Sequence, residues 1–199
     1  MERDEFLRAA WRVMIAQELD PKRLVFVDEM GTNISLSPLY AWAPRGQRAH
    51  LSVPRNRGAN TTLLSSMNSE GMGPCLAVVG FTSFTTIEVF EAYIEQVLVP
   101  RLQAGQVVIL DNLSAHKRDR VRELIEERGC ELLYLPPYSP DFNPIEEAFS
   151  KIKGIVRKAQ ARTREAVVEA LGFAISAVSA QDVRGFFEHC GYTTLVQSL

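Results

Sequence analysis

Apolar residues in this chain follow spacings that change along its length, and each spacing predicts a different element. Nearly continuous apolar runs at 23–29 (RLVFVDE) and 106–112 (QVVILDN) are typical of buried strands. Shorter apolar runs bounded by glycine and proline predict four further strands, at 33–43, 61–68, 74–81 and 130–136. The chain therefore has enough strands for a sizeable sheet.

Other segments repeat their apolar residues at the three- and four-residue spacing of a helix face. The first such helix is predicted over 2–18, with an apolar stripe formed by Phe6, Ala9, Ala10, Val13 and Met14. Later helices are predicted over 85–102, near 115–129, from Pro144 onward, over 163–179 and over 181–190. After residue 81, helices and strands therefore alternate.

The order of these elements predicts an α/β fold. The four strand candidates between residues 23 and 81 predict an antiparallel meander, and the alternating part adds parallel strands with helices on both faces of the sheet. Such a mixed sheet is ribonuclease-H-like. We predict a leading or linker helix at 1–22, a central domain at 23–160 and a C-terminal helical extension at 161–199.

Composition narrows the class of protein. The 199 residues are 46% hydrophobic, which is typical of a globular domain. No apolar run approaches the roughly 20 residues that cross a bilayer, and the charged start MERDEFLRAAWR lacks the apolar centre of a signal peptide. We therefore expect a cytoplasmic protein without membrane contact. The three cysteines form no C-x-x-C pair, which argues against a zinc site.

The distribution of charge is more informative than the net charge of −2. The segment 40–60 contains no acid and four arginines, which are Arg45, Arg48, Arg55 and Arg57. The segment 151–164 contains six cations and again no acid. Two basic patches in a slightly acidic chain indicate contact with a phosphate backbone, because neutralised phosphates release counterions. The alternative is that both segments are ordinary solvated surfaces.

Two of the buried runs end in an acid. Alternate residues of a strand share a face, so Asp28 lies on the face of Phe26 and Asp111 on the face of Ile109. If these strands are neighbours, both acids meet at the carboxyl edge of the sheet, where α/β proteins bind ligands. Carboxylates without cysteine or histidine partners favour magnesium or manganese. The alternative is two unrelated aspartates that begin loops.

The stretch YLPPYSPDFNPIEEAF at 134–149 has four prolines and three acids. Its prolines predict a rigid connection, with Asn143 as N-cap and Pro144 as the first residue of a helix. Glu146 then lies at the third helical position. There it either closes a capping box or brings a third carboxylate to the edge of Asp28 and Asp111.

Three stretches resemble the acidic blocks of the mariner superfamily of DDE transposases, most closely its bacterial insertion-sequence branch. They are FVDEMGTNISLSPLYAWAPRGQR, VILDNLSAHK and YLPPYSPDFNPIEEAFSKIK. The resemblance extends from about Leu24 to Ala159, and 34 residues separate Asp111 from Glu146, as is typical between the second and third acids of this superfamily. It implies a DDE catalytic domain over 23–160, an endonuclease that cuts and rejoins DNA at the ends of a mobile element.

By that match, Asp28, Asp111 and Glu146 are the catalytic residues and hold two Mg²⁺ or Mn²⁺ ions. One ion would activate a water or 3′-hydroxyl nucleophile, and the other would stabilise the leaving oxygen. Asn112 and His116 match polar positions of the second block, where they would support the site by orienting a phosphate or water. For His116 the alternative is a helix-start residue with a local hydrogen bond.

Helical spacing distinguishes the two glutamates of this stretch. Glu146, Ser150, Lys153 and Arg157 form one stripe, which predicts that Lys153 and Arg157 extend from the metal site to the DNA backbone. Glu147 is instead predicted to pair with Lys151 four residues later. Asp141 is interpreted as an anchor of the proline-rich connection.

The resemblance leaves three functions open. The first is a transposase catalytic domain that lacks the N-terminal helix-turn-helix module of its relatives. Its expected partners are DNA, at transposon ends and target, and either a second copy of the chain in a homodimer or a partner transposase subunit. The second is a non-catalytic fragment that binds DNA or partner subunits and inhibits transposition. The third is another ribonuclease-H-like nuclease, such as a junction resolvase. The location expected for the first is the cytoplasm, in association with the nucleoid. The helices at 163–190 are expected to pack or form dimer contacts rather than read DNA.

Overall fold

In the part of the chain that the structure describes, five strands form one mixed sheet in the order β3-β2-β1-β4-β5. The computed structural model describes residues 3–17, 19–56, 58–80, 86–112 and 117–193. The strands are β1 (Leu24–Thr32), β2 (Asn60–Asn68), β3 (Gly71–Gly80), β4 (Val107–Leu110) and β5 (Glu131–Tyr134). Strands β1, β2 and β3 pair antiparallel, whereas β4 lies parallel to both β1 and β5. The predicted combination of a meander and parallel strands is confirmed.

Helices cover both faces of this sheet, as predicted. They are α1 (Glu5–Gln17), α2 (Ile87–Tyr93), α3 (Asp119–Glu127), α4 (Pro144–Ala159), α5 (Arg164–Ser176) and α6 (Ala180–His189). Helix α2 continues through a π-helical turn, Ile94–Leu98, and a 3₁₀ turn, Val99–Arg101. Helices α1, α4, α5 and α6 pack against one face and α2 and α3 against the other.

The two faces follow from the alternation of side chains along the strands. Phe26 and Ile109 belong to the core beneath α4, whereas Val27 and Val108 belong to the core beneath α2 and α3. All four residues are almost completely buried. Because alternate residues share a face, Asp28 continues the α4 side of β1. The strand was expected to end at its acids, but it extends to Thr32, so Asp28 lies in its middle, two residues beyond the last residue paired with β4.

The strand predicted at 33–43 is wrong. These residues are irregular, so the meander has three strands instead of four. Pro38 and Pro44 cannot donate backbone hydrogen bonds to a neighbouring strand. The side chain of Asn33 accepts a hydrogen bond from Ser35 N, which turns the chain away from β1. Arg162 then fastens the segment by donating to the carbonyl oxygens of residues 34 and 36.

The apolar stripe predicted for the first helix is also wrong. Phe6 is 81% exposed and Val13 is 54% exposed, whereas Arg8 and Trp11 are almost completely buried. The buried face of α1 therefore includes a charged residue. This is possible because Arg8 meets Asp141 in the connection that precedes α4.

Helices α5 and α6 pack into the core through Val167, Leu171, Val183 and Phe187, which agrees with their predicted packing role. Among the described residues, no single helix is long and apolar enough to span a membrane; α5 and α6 reach the necessary length only as a pair bent by 78°. The division of the chain at residues 22 and 160 stays a prediction.

Candidate active site

Three acids from three different elements line one cavity. Asp28 lies in β1, Asp111 directly follows β4, and Glu146 lies in the first turn of α4. Phe26 is paired with Ile109 between the parallel strands, and continuing this register by two residues sets Asp28 beside Asp111. The cavity has a volume of about 410 Å³ and all three carboxyl groups contribute to its lining. The structure therefore brings together the three acids that the sequence singled out.

The remaining wall of the cavity is the connection between β5 and α4. We call residues 136–143 the proline loop; it contains Pro136, Pro137 and Pro140, and it ends in the 3₁₀ turn Pro140–Phe142. Tyr138 of this loop lines the cavity and has a φ of 51°, in the left-handed region that side chains with a Cβ rarely adopt. Such a conformation persists only where surrounding contacts hold it.

Asp28 is the most buried of the three acids. Its side chain accepts hydrogen bonds from Glu29 N at 2.7 Å and from Asn143 Nδ2 at 2.8 Å. Burial raises the pKa of Asp28 well above its usual range, and the nearby charge of Glu146, followed by that of Asp111, raises it further. The ionised form of Asp28 is therefore unfavourable unless a cation lies beside it.

Glu146 remains in contact with solvent, but the charges of neighbouring residues still affect its pKa. Partial desolvation raises the pKa of Glu146, and the charge of Asp111 adds to this effect, whereas Lys153 opposes it. Lys153 is seven residues further along α4, on the stripe that the sequence predicted. The acids thus line one side of the cavity, and the positively charged Lys153 lies next to them on α4, the helix that contains Glu146.

The capping box proposed for Glu146 is wrong. Asn143 does precede α4, but within the described part of the chain its side chain makes no capping bond to the helix. The backbone N–H of Asn143 donates to Pro140 O, and its side chain donates to Asp28. Glu146 therefore has no role in closing this helix end. The contact from Asn143 to Asp28 was missed by sequence reasoning, because an asparagine before proline is typical of a cap.

The oxygen atoms around the cavity suit a hard divalent cation. Asn112 Oδ1 and Asn143 Oδ1 are buried without a hydrogen-bond partner among the described residues, and both residues line the cavity. Carboxylate and carboxamide oxygens are the ligands that magnesium and manganese accept. No group of three acidic, histidine or cysteine side chains in the described ranges is close enough to hold an ion as it stands. The acids share the cavity wall without closing on one point, as expected for like charges.

Other residues named from the sequence have different positions. Asn112 lines the cavity, whereas His116 and Arg57 lie outside the described residues. The predicted pair of Glu147 with Lys151 is wrong. Glu147 contacts His189, and Lys151 pairs with Asp182 at the start of α6. Both partners come from α6, so periodicity within α4 could not identify them.

The predicted DNA-contacting residues form two separate groups. Arg45, Arg48 and Arg55 are exposed on the irregular segment between β1 and β2. Lys153 and Arg157 are half-buried on α4, on the same helix as Glu146. The irregular segment also exposes the aromatic rings of residues 40 and 42.

Comparison with known proteins gives a family and a fold. Residues 23–168 match the family described as DDE superfamily endonuclease. No match to a curated protein sequence was found. The matched range includes every described element from β1 to the first turn of α5, and it contains all three acids of the cavity.

Several solved structures of Mos1 transposase resemble the chain. A pre-cleavage Mos1 transpososome has a TM-score of 0.73 at 18% identity, covering 96% of this chain and 62% of its own. A Mos1 mariner paired end complex with Mn has a TM-score of 0.69 at 19% identity, covering 96% and 60%. The catalytic domain of Mos1 mariner transposase has a TM-score of 0.61 at 16% identity, covering 94% and 87%. The chain thus spans less than two thirds of the length of the transposases in those complexes, and the similarity confirms the predicted ribonuclease-H-like fold.

Proposed function

The chain belongs to the DDE superfamily of endonucleases, and from that premise we propose that it is the metal-dependent catalytic domain of a DNA transposase. The observation that carries this proposal is that Asp28, Asp111 and Glu146 line one cavity, beside the middle of β1 and the carboxyl end of β4. The three quoted acidic blocks further support membership of the mariner superfamily, in its bacterial insertion-sequence branch. Its substrates would then be the ends of a mobile element and target DNA.

In this proposal Asp28, Asp111 and Glu146 hold two Mg²⁺ or Mn²⁺ ions. One of the similar Mos1 complexes contains Mn, and the carboxylate and carboxamide oxygens among the residues that line this cavity fit the same class of ion. When bound, the ions supply Lewis acidity for an in-line displacement at phosphorus. Strand cleavage and strand transfer then use the same residues and differ in the nucleophile, which is water in the first and a 3′-hydroxyl in the second.

The protein's own contribution is to fix the positions of these oxygens. Asn143 donates to Asp28 Oδ2 and so sets the direction of that carboxylate, while Glu29 N fixes the other oxygen. Asn112 lines the same cavity, and its Oδ1 is buried without a hydrogen-bond partner in the described residues. In this proposal its side-chain amide orients a phosphate or a water. Lys153 lies near enough to Glu146 to affect its pKa, so it can also attract a phosphate that enters the site.

DNA would approach along the two basic groups. Arg45, Arg48 and Arg55 are exposed and unopposed by any acid in the sequence around them. Lys153 and Arg157 continue from Glu146 along α4. We include in the proposal a second transposase subunit as partner and a cytoplasmic, nucleoid-associated location.

Metal dependence is the direct test of this function. We expect the chain to nick supercoiled plasmid in Mg²⁺ or Mn²⁺ and to lose this activity in excess chelator, because the proposed ligands are all oxygen atoms. Zinc should not replace magnesium. Nicking is measured by the conversion of supercoiled to relaxed plasmid. Activity that persists in chelator would contradict the mechanism, and metal-independent DNA binding without any nicking would favour the non-catalytic, inhibitory fragment.

Salt dependence tests the DNA surface. Arg45→Gln combined with Arg48→Gln should weaken binding to unrelated DNA sequences about equally. The slope of log affinity against log salt should become shallower by up to about 0.9 for each phosphate that the variant no longer neutralises. The matched control is Arg122→Gln on α3, where Arg122 is already paired with Glu126 and lies on the opposite face of the sheet. Fluorescence anisotropy across a salt series gives both slopes. Equal slopes for the double variant and the wild type would remove this segment from the DNA interface.

A further inference from the structure

The proline loop is held from outside by the first helix of the described chain. Arg8 of α1 donates from Nη1 to Ser139 Oγ at 2.7 Å and to Asp141 Oδ1 at 2.9 Å, and from Nη2 to Asp141 Oδ2 at 2.6 Å. The guanidinium group also lies 4.5 Å from the centroid of the Phe142 ring. One side chain of α1 thus holds the loop at both ends of its final turn.

The burial of Arg8 makes these contacts specific. Only 1% of its side chain is exposed, and a guanidinium group taken out of water must be paired to be tolerated. Both Nη atoms are directed at the loop, whereas Nε makes no hydrogen bond within the described ranges. The Arg8 side chain lowers the pKa of Asp141 by hydrogen bonding and by its charge, so this acid stays ionised. Because the planar guanidinium group makes two hydrogen bonds to the Asp141 carboxylate, it fixes the orientation of that carboxylate as well as its distance from α1.

A second contact from α1 reaches the same turn. Trp11 Nε1 donates to Tyr192 Oη at 3.1 Å, and Tyr192 Oη donates to Phe142 O at 2.7 Å. The ring of Tyr192 packs edge-on against Phe26 of β1, two residues before Asp28. The 3₁₀ turn of the loop is therefore contacted both by Arg8 of α1, at Asp141, and by Tyr192, at Phe142 O.

The inner end of the loop touches the acids. Asn143 follows this turn directly and donates to Asp28, and Glu146 lies three residues later in the first turn of α4. The strained backbone of Tyr138 lies at the other end of the same short segment. A displacement of the turn would therefore move Asn143 away from Asp28 and shift the start of α4, which positions Glu146.

We propose that Arg8 is a positioning residue for the acids of the cavity: by docking α1 on the proline loop it holds Asn143 against Asp28 and sets the separation of Asp28 and Glu146. Loss of this docking lowers the affinity of the site for divalent ions while the fold is retained. The inference rests on the proposed function, because it takes the three acids to be metal ligands.

The test compares Arg8→Met with Arg12→Met. Methionine keeps much of the length of arginine and removes the donors. Arg12 is the matched control because it is on the same helix and also lies over the Phe142 ring, at 5.3 Å, but it is exposed. Mn²⁺ affinity of the full chain is measured by titration calorimetry, and exchange of backbone amides in 136–143 by hydrogen–deuterium exchange without metal. Denaturant unfolding shows that each variant is folded under these conditions.

We expect Arg8→Met to weaken Mn²⁺ binding by roughly 10-fold, the lower end of the range found when the hydrogen-bond partner of a metal ligand is removed, because Arg8 acts on Asp28 through the loop and Asn143. The same variant should speed amide exchange in the loop. Arg12→Met should change neither by more than about twofold. Should Arg8→Met fail to fold, Asp141→Asn takes its place, since it removes the charged partner at the exposed end of the same contact and is expected to weaken Mn²⁺ binding in the same direction.

The outcomes separate the two proposals. If the wild type binds no Mn²⁺, the proposed function fails and this inference fails with it. If the wild type binds Mn²⁺ and folded Arg8→Met binds it equally well, the metal site stands and the positioning role is overturned, even if the loop exchanges faster. Arg8→Lys keeps the positive charge but loses the paired Nη donors. Mn²⁺ affinity that is only partly restored in Arg8→Lys relative to Arg8→Met would support a geometric role for the guanidinium group.

Discussion

Replacing Glu146 with glutamine is expected to lower metal-dependent DNA cleavage by more than roughly 100-fold. Removal of a ligand's hydrogen-bond partner alone costs roughly 10- to 100-fold, and here the proposed ligand itself is removed. The melting temperature without metal should stay the same or rise. Glu146 makes no capping bond in the described structure, and its removal relieves the repulsion that raises the pKa of Asp28. Plasmid nicking in Mn²⁺ and thermal melting in chelator give the two measurements.

The neighbouring Glu147→Gln is the control for this experiment. It removes the same charge one residue away, where the carboxylate contacts the exposed His189 of α6 instead of the cavity. The pKa of His189 is raised by this contact, through hydrogen bonding and charge. The exposed pair should contribute little to stability at neutral pH, so most activity should remain. An active Glu146→Gln protein beside an inactive Glu147→Gln protein would show that the wrong carboxylate has been assigned to the metal.

Asp28→Asn and Asp111→Asn are expected to abolish cleavage, while DNA affinity stays equal or increases because a negative charge near the phosphates is removed. For Asp28 we also expect a higher stability without metal. Its carboxylate is buried beside two other acids, and burial raises the pKa in the folded state. The asparagine can keep the Glu29 N–H bond, and Asn143 Oδ1, which has no partner in the described residues, can accept from the new amide.

The sign of the pH dependence follows from the raised pKa. An acid whose pKa is higher in the folded state than in the unfolded state destabilises the fold increasingly as pH rises above the unfolded value, which is about 4 for aspartate. The stability gain of Asp28→Asn in chelator should therefore be small near pH 4 and grow toward neutral pH. Added Mn²⁺ should raise the melting temperature of the wild type and leave that of the variant unchanged. A variant that loses folding and DNA binding together would instead assign Asp28 a structural role.

The strand alternation in the sequence predicted that Asp28 and Asp111 meet if their strands are neighbours, and the structure shows that the strands are neighbours. Both strands are buried on two faces, and Phe26 is paired with Ile109. Because every second residue lies on the same face, the acids two positions later must lie on one face of the sheet, beside each other. The prediction of Glu146 required the family resemblance in addition, since the capping motif was an equally good local explanation. The fold class followed from the order of elements, because parallel strands need helical connections.

Local pattern failed where a distant partner decides the structure. On α1 the spacing of Phe6 and Val13 is helical, yet the helix buries Arg8 and Trp11, whose partners are 133 and 181 residues away. Residues 33–43 have apolar alternation, but proline interrupts it, and no neighbouring strand pairs with them in the described sheet. Propensity is a weak guide when tertiary contacts compete with it.

The path of hydrogen bonds from Trp11 through Tyr192 to Phe142 has a consequence for biosynthesis. It joins residues that are separated by 181 positions, so the turn beside the acids acquires its final support only after residue 192 has been synthesised and has left the ribosome. Strand β1, which contains Asp28, and strand β4, which Asp111 directly follows, are both synthesised at least about 80 residues earlier. On a ribosome-bound chain the segments that contain Asp28 and Asp111 are therefore synthesised well before Tyr192 can support the turn beside them. Under the proposed function, we expect competence to cut DNA only once residue 192 has left the ribosome.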